Sequence, residues 1–135
     1  MDLRVQAFAD ALEGLSVLVN EDLQALSVRL GPHLIDGLEN GMAQKFEYTL
    51  ELCWKSIKRA LQEQEGIDEA SPKKVVKAWY MAGHLSEDDY LALHAAIDDR
   101  NKLSHIYSPQ EFKTIIGRLP AYARLMGRVL DTLRT

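Results

Sequence analysis

The sequence has one cysteine, Cys53, in 135 residues. That excludes an internal disulfide and any zinc site built from several cysteines. No apolar run is long enough to span a bilayer. The N-terminus lacks the basic-then-apolar order of a secretory signal. A cytoplasmic location is therefore expected, and no membrane partner. No stretch alternates at period two, so strands are not expected. Internal repeats, low-complexity segments and interdomain linkers are absent too. A net charge of −4 argues mildly against nonspecific nucleic-acid binding.

What is present is helical periodicity. A chain of this length supports one core, so residues 1–135 are read as one helical domain. Residues 1–31 form an N-terminal helical extension. The first helix runs from about Leu3 to Val19, with Leu3, Phe8, Leu12 and Leu15 on one side. Asn20 is placed to cap a second piece carrying Leu23, Leu26, Val28 and Leu30, which Gly31-Pro32 breaks. A long helix follows from about His33 to Glu65, its strongest stripe being Phe46, Leu50, Cys53, Trp54, Ile57 and Leu61. Cys53 on that stripe reads as a buried structural thiol. Gly66 is the expected stop.

Ser71-Pro72 opens the next helix as N-cap and first helical position. Val75, Val76, Trp79 and Ala82 give it a buried side, and Gly83 ends it. Ser86 and the acidic residues after it open a further helix, with Leu85 and Tyr90 at hydrophobic-staple spacing. That helix is expected to stop near Tyr107, because Pro109 disfavours a helical Ser108. Ser108 and Glu111 read as a capping box for the last helix, which Pro120 should kink or split. Tyr122, Leu125, Met126, Val129, Leu130 and Leu133 form its apolar stripe. The fold class is therefore all-α: an antiparallel up-and-down bundle of five or six helices with short connections.

The charge is unevenly spread. Residues 1–51 hold three basic and nine acidic side chains, and residues 52–135 hold thirteen and eleven. A local basic surface in the second part would draw on Lys55, Lys58, Lys73, Lys74, Lys77 and Lys102. Solvated helix faces account for the same residues.

The most informative stretch is Ile97 to Tyr107. Tyr90, Leu93, His94 and Ile97 mark a face expected to point inward, and it continues to Asn101, Ser104 and His105. Buried polar groups are costly unless paired or used. Arg100 can hold a phosphate and offset transition-state charge. His105 can take or give a proton near neutrality. Asn101 lies four residues from His105, within hydrogen-bonding reach on a helix. These groups suffice for metal-free RNA cleavage through a 2′,3′-cyclic phosphate. The chemistry works best with both a base and an acid, and the motif supplies one histidine. A two-fold homodimer joining two motifs is the natural solution. The alternative is a satisfied interior network of Arg100, Asn101 and His105 with Asp98 or Asp99. No metal is expected: His94 and Asp98 are two ligands only, and His33 and His84 read as loop residues.

Lys45 to Lys55 (KFEYTLELCWK) resembles the signature of the nucleotidyltransferase substrate-binding protein-like family, a branch of the HEPN superfamily. Ser71 to Lys77 and Asp99 to Tyr107 match its two other hallmarks in order and spacing. The resemblance covers roughly residues 33–130 and implies a homodimeric helical bundle partnered by a minimal nucleotidyltransferase. In several such pairs the helical protein is an RNase toxin. Its transferase is the antitoxin, which adds AMP to a tyrosine two residues after the histidine. Carried over, Arg100, His105 and Asn101 are the catalytic candidates and Tyr107 the modification site, with no cofactor. Other members have been treated as noncatalytic substrate-binding subunits, and the motifs alone do not separate the two.

Overall fold

The computed structural model describes residues 2–135 and contains six helices. These are α1 (Leu3–Val19), α2 (Leu23–Arg29), α3 (Pro32–Ala60), α4 (Pro72–Met81), α5 (Glu87–Leu103) and α6 (Pro109–Arg134). A wide π turn, Leu61–Glu65, extends α3 to Gly66, whose φ of 65° is the left-handed stop that glycine favours.

Most of the start and stop chemistry is local. Ser86 Oγ accepts from the Asp89 N–H at 3.1 Å. Ser108 and Glu111 make both halves of the capping box. Tyr107 stacks on Phe112 at 5.6 Å between ring centroids, which fixes the turn into α6. Ser71 sits at the N-cap of α4 but makes no side-chain bond there. Pro72 at the first helical position has no N–H to satisfy.

Four local expectations differ. Asn20 closes α1 rather than opening α2; Asp22 caps α2, accepting from the Ala25 N–H at 3.1 Å. His33 lies in the first turn of α3, not in a loop. α5 ends at Leu103, a turn earlier than Tyr107, because the Ser104 and His105 N–H groups bond three residues back to Asn101 and Lys102. α6 runs unbroken through Pro120. Pro120 removes one backbone bond, yet Ile115, Ile116 and Leu119 before it and Tyr122, Leu125 and Met126 after it are all buried, so one core holds both halves in line.

α3 is the axis of the bundle and packs on every other helix. Asp2 meets Arg59, and the Thr49 hydroxyl reaches the Ala11 carbonyl, so α1 runs antiparallel to α3. Asp89 meets Arg128 and Asp99 meets Arg118, so α5 and α6 are antiparallel. Tyr80 meets Tyr90 and Lys73 meets Asp98, so α4 and α5 are as well. The step from α3 to α4 is different. Residues 66–71 fold back along α3, where Lys58 donates to the Glu69 carbonyl. α4 then climbs beside α3, and its far end stacks Trp79 on His84, which bonds Glu65.

Cys53 is fully buried, and burial pushes its thiol pKa far up, as expected of a structural cysteine. The buried polar side chains are few: Glu39, Thr49, Ser56 and Asp99. Glu39 is bonded by Lys113. Asp99 accepts from Arg118 Nη1 on both carboxylate oxygens and from the Tyr122 hydroxyl at 2.6 Å. Tyr122→Phe keeps the ring stacked on Phe46 and leaves Arg118 in place. It should cost about 1.5–3 kcal/mol, the worth of one hydrogen bond to a charged group. Urea unfolding should show a lower midpoint at unchanged slope.

Candidate functional site

The polar end of α5 is turned by about one residue from the expectation. The buried face is Leu93, Ala96, Ile97, Asp99 and Leu103, with Arg100 half-buried among them. Asn101, Ser104 and His105 are exposed. On a 100° step, Arg100 falls at the centre of the apolar stripe, while Asn101 and His105 continue the flank marked by His94 and Asp98. The interior polar residues are therefore Asp99 and Arg100, not Asn101, Ser104 and His105.

Each inward residue finds a partner on a different helix. Asp99, 2 % exposed, is held by Arg118 and Tyr122 of α6. Burial of the ring and the Asp99 carboxylate raise the Tyr122 pKa, and the hydrogen bond to Asp99 raises that of Arg118. Arg100 crosses to α3, its Nη2 lying 2.9 Å from Glu51 Oε2. Glu51 is a hub: the Trp54 indole donates to Oε2 at 3.0 Å and Lys55 lies 3.0 Å from Oε1. Burial opposes ionisation of Glu51, but those hydrogen bonds and the Arg100 charge hold its pKa below the ordinary value. Glu47, one turn earlier, also feels Arg100, yet burial pushes its pKa up. The Arg100 side chain keeps 31 % of its surface exposed, while its Nε is buried without a hydrogen-bond partner among the described residues.

Among the described residues, no hydrogen bond or ion pair joins Arg100, Asn101, His105 and Tyr107 side chains to one another. The interior network of Arg100, Asn101 and His105 with Asp98 or Asp99 does not form. Asp98 pairs outward with Lys73 at 2.6 Å and lies 3.7 Å from His94. Ile106, between His105 and Tyr107, is fully exposed. Tyr107 is half-buried, its ring on Phe112 and its hydroxyl unbonded among the described residues.

The candidate lysines divide into two groups. Lys55 is taken by Glu51 and lies 6.0 Å from the Trp54 ring, while Lys58 bonds Glu69 and Asp68. Lys74 and Lys77 are outside this pairing: among the described residues they make no ion pair, and Lys77 is exposed. Lys102 lies 4.0 Å from Asp99 with its head largely in solvent. No cluster of three or more metal-ligating side chains occurs among the described residues. Depressions of about 380 and 340 Å³ flank α2, and neither is lined by Arg100, His105 or Tyr107. No helix among the described residues is long and apolar enough to cross a membrane.

Glu51, Arg118 and Tyr122 are the residues that sequence reasoning passed over. Glu47 and Glu51 do leave a trace, as carboxylates four apart beside the Phe46–Leu50–Trp54 stripe. Arg118 and Tyr122 are likewise four apart on α6. Their pairing with α5 is tertiary and has no local signal.

Residues 3–135 match the model of a family described as nucleotidyltransferase substrate binding protein like. Two solved structures share the fold. One, from Thermus thermophilus, is 34 % identical, with a TM-score of 0.81 over 95 % of this chain and 99 % of that one. The other, from Haemophilus influenzae, is described as revealing the fold of a substrate binding domain of a nucleotidyltransferase; it is 22 % identical, with a TM-score of 0.78 over 97 % and 99 %. No curated protein matches.

The Glu51 pair carries a pH signature. Its folded pKa is depressed, so its contribution to stability is complete above the ordinary carboxyl value of 4.5 and is lost as pH falls through the folded value. Glu51→Gln should therefore destabilise the protein at about pH 7 and differ much less from wild type at about pH 3. Urea unfolding at the two pH values measures the difference; a gap that does not shrink in acid would mean that the ionised Glu51, with its Trp54, Lys55 and Arg100 partners, is energetically idle.

Proposed function

The chain belongs to the nucleotidyltransferase substrate-binding protein-like family, and on that footing we propose that it is the RNase toxin of a toxin–antitoxin pair, held silent by its nucleotidyltransferase. One observation supports this above the others. Asn101 and His105 stand exposed just past an arginine whose side chain keeps 31 % of its surface in solvent. A polar patch retained for stability would be paired inside; this one faces outward, where a substrate meets it. The motif residues Asn101, Ser104 and His105 lie on open surface, which suits a polymer better than a small ligand.

In this reading Arg100 binds the scissile phosphate with the donors Glu51 does not use. His105 of one chain takes the proton of the 2′-hydroxyl, whose oxygen attacks phosphorus. The bond to the 5′ oxygen breaks, and that oxygen is protonated by His105 of a second copy. The products are a 2′,3′-cyclic phosphate and a 5′-hydroxyl. Asn101 orients the phosphate or the imidazole. The protein acts as a homodimer, without metal or cofactor, on RNA in the cytoplasm. Its partner is a minimal nucleotidyltransferase. A second reading, a noncatalytic subunit presenting substrate to that transferase, is favoured by the 2.9 Å Glu51 contact, which already balances the charge of Arg100.

The two readings part on cleavage. Wild type should cut RNA in the presence of chelator and leave cyclic phosphate ends. Loss of a positioned acid–base group costs on the order of a hundredfold or more, so His105→Ala should be nearly inactive. It should still fold and sediment as two chains. Equal cleavage by both proteins would remove the toxin reading.

Tyr107 gives the second test. A ring packed on Phe112 can still offer its oxygen. AMP attached there adds a bulky anion two residues past His105, and in this reading it blocks the site by occupancy and charge. Tyr107→Phe keeps the staple and removes the acceptor. It should fold, dimerise and resist silencing by the co-expressed transferase, and mass spectrometry should find AMP on wild type alone. A variant modified and silenced like wild type would leave Tyr107 a staple only.

A further inference from the structure

One face of the α4–α5 hairpin carries a row of features that the cleavage chemistry does not use. At its upper end the rings of Tyr80 and Tyr90 stack nearly parallel, 4.6 Å apart and inclined by 4°. Both residues are half-buried, so the pair is open on one side. His94 meets the edge of Tyr90 one turn down α5, with centroids 6.2 Å apart. Lys73 and Lys77 lie seven and three residues before Tyr80 along one side of α4. Lys73 is bound to Asp98, while Lys77 and neighbouring Lys74 are unpaired among the described residues. Below Asp98 the same flank of α5 reaches Asn101, exposed Lys102 and His105. At 1.5 Å per residue, Tyr90 stands about 20 Å above the end of α5.

We propose that this face is a track for single-stranded RNA, with the Tyr80–Tyr90 pair as a stacking platform for a base several nucleotides from the cleaved bond. The inference rests on the RNase reading for its direction, toward His105, but not for its chemistry. Aromatic faces stack any unpaired base, and a row of lysines follows the backbone; together they select single strands without reading sequence. A duplex keeps its bases stacked on one another and offers no face to the tyrosines. The charge of the face fits a polyanion: Lys74 and Lys77 are unpaired among the described residues and Lys102, 4.0 Å from Asp99, keeps its head largely in solvent, against one exposed carboxylate on the flank, Glu87 above Tyr90. A platform about 20 Å away holds a substrate without touching the scissile phosphate, so it acts on affinity and not on the chemical step.

The experiment uses the full chain and a fluorescein-labelled twelve-nucleotide RNA bearing 2′-methoxy groups, which binds but has no nucleophile to be cut. Fluorescence anisotropy should show tighter binding of the single strand than of the matching duplex. Tyr80→Leu and Tyr90→Leu should weaken single-strand binding about five- to a hundredfold, the range for losing one stacked base. Tyr80→Phe should bind like wild type, because it keeps the ring. With cleavable RNA, KM should rise for the leucine variants while kcat holds. Cross-linking of wild type to 5-bromouridine RNA makes the test independent of how the variants fold: adducts should fall on Tyr80 or Tyr90. Unchanged affinity in well-folded leucine variants, equal binding of duplex, adducts only elsewhere, or no RNA binding by wild type would each overturn the track. Binding that follows these expectations without any cleavage would remove the nuclease reading and leave the track standing.

Discussion

Two consecutive polar residues enter the core at the end of α5, and the site depends on how they are satisfied. Asp99 and Arg100 are about 100° apart on the helix, so one neighbouring helix cannot serve both. Asp99 reaches α6 through Arg118 and Tyr122, and Arg100 reaches α3 through Glu51. The end of α5 is thereby wedged between the two neighbours that also form the long walls of the core. With both inward directions occupied, the remaining polar residues, Asn101, Ser104 and His105, turn out to solvent. The outward face of the motif is a consequence of the inward pairs.

Neither pair is a simple stabiliser. A buried carboxylate loses hydration worth several kcal/mol, and its partners only roughly repay that cost. Asp99 gains three hydrogen bonds from two partners and is well satisfied. Glu51 and Arg100 are less deeply buried, with side chains 29 % and 31 % exposed, so water screens their attraction. The first pair fixes a register; the second holds a guanidinium that stays partly in solvent. This division suits the positions: the rigid contact sits behind the motif and the looser one at its mouth.

The helices were legible because their signals are local. The Ser86 cap, the Ser108–Glu111 box, the Gly66 stop and the Phe46–Leu61 stripe each need only neighbours in sequence, and each has the geometry its residues imply. The phase of the motif was not legible. Tyr90 and His94 resemble core residues by type, but they lie at the rim, Tyr90 against Tyr80 and His94 against Tyr90, which drew the assumed face toward Asn101 and His105. The true stripe passes through Ala96 and Leu103, and it carries an arginine at its centre. An arginine on an apolar face reads as an interruption until its partner is known, and Glu51 lies 49 residues away. Asn20, Pro120 and the end of α5 differ from expectation for a related reason: a residue's turn propensity is a weak prior that packing overrides.

The uneven charge of the sequence has a structural account. Carboxylates of the first part are partly spent on cations of the second: Asp2 on Arg59, Glu39 on Lys113, Glu51 on Lys55 and Arg100. What is left over is separated in space. Asp10, Glu13 and Glu21 remain exposed on and just after α1, and Lys74, Lys77 and Lys102 remain at the surface of α4 and the end of α5. A protein of net charge −4 can therefore still present a positive face, and the sum misleads where the arrangement does not. On the proposed reading, an approaching RNA meets unpaired lysines on α4 rather than the carboxylates of α1 within a Debye length of contact. Asp99 also draws Lys102 to 4.0 Å, so the candidate lysines without an ion pair among the described residues are Lys74 and Lys77 of α4.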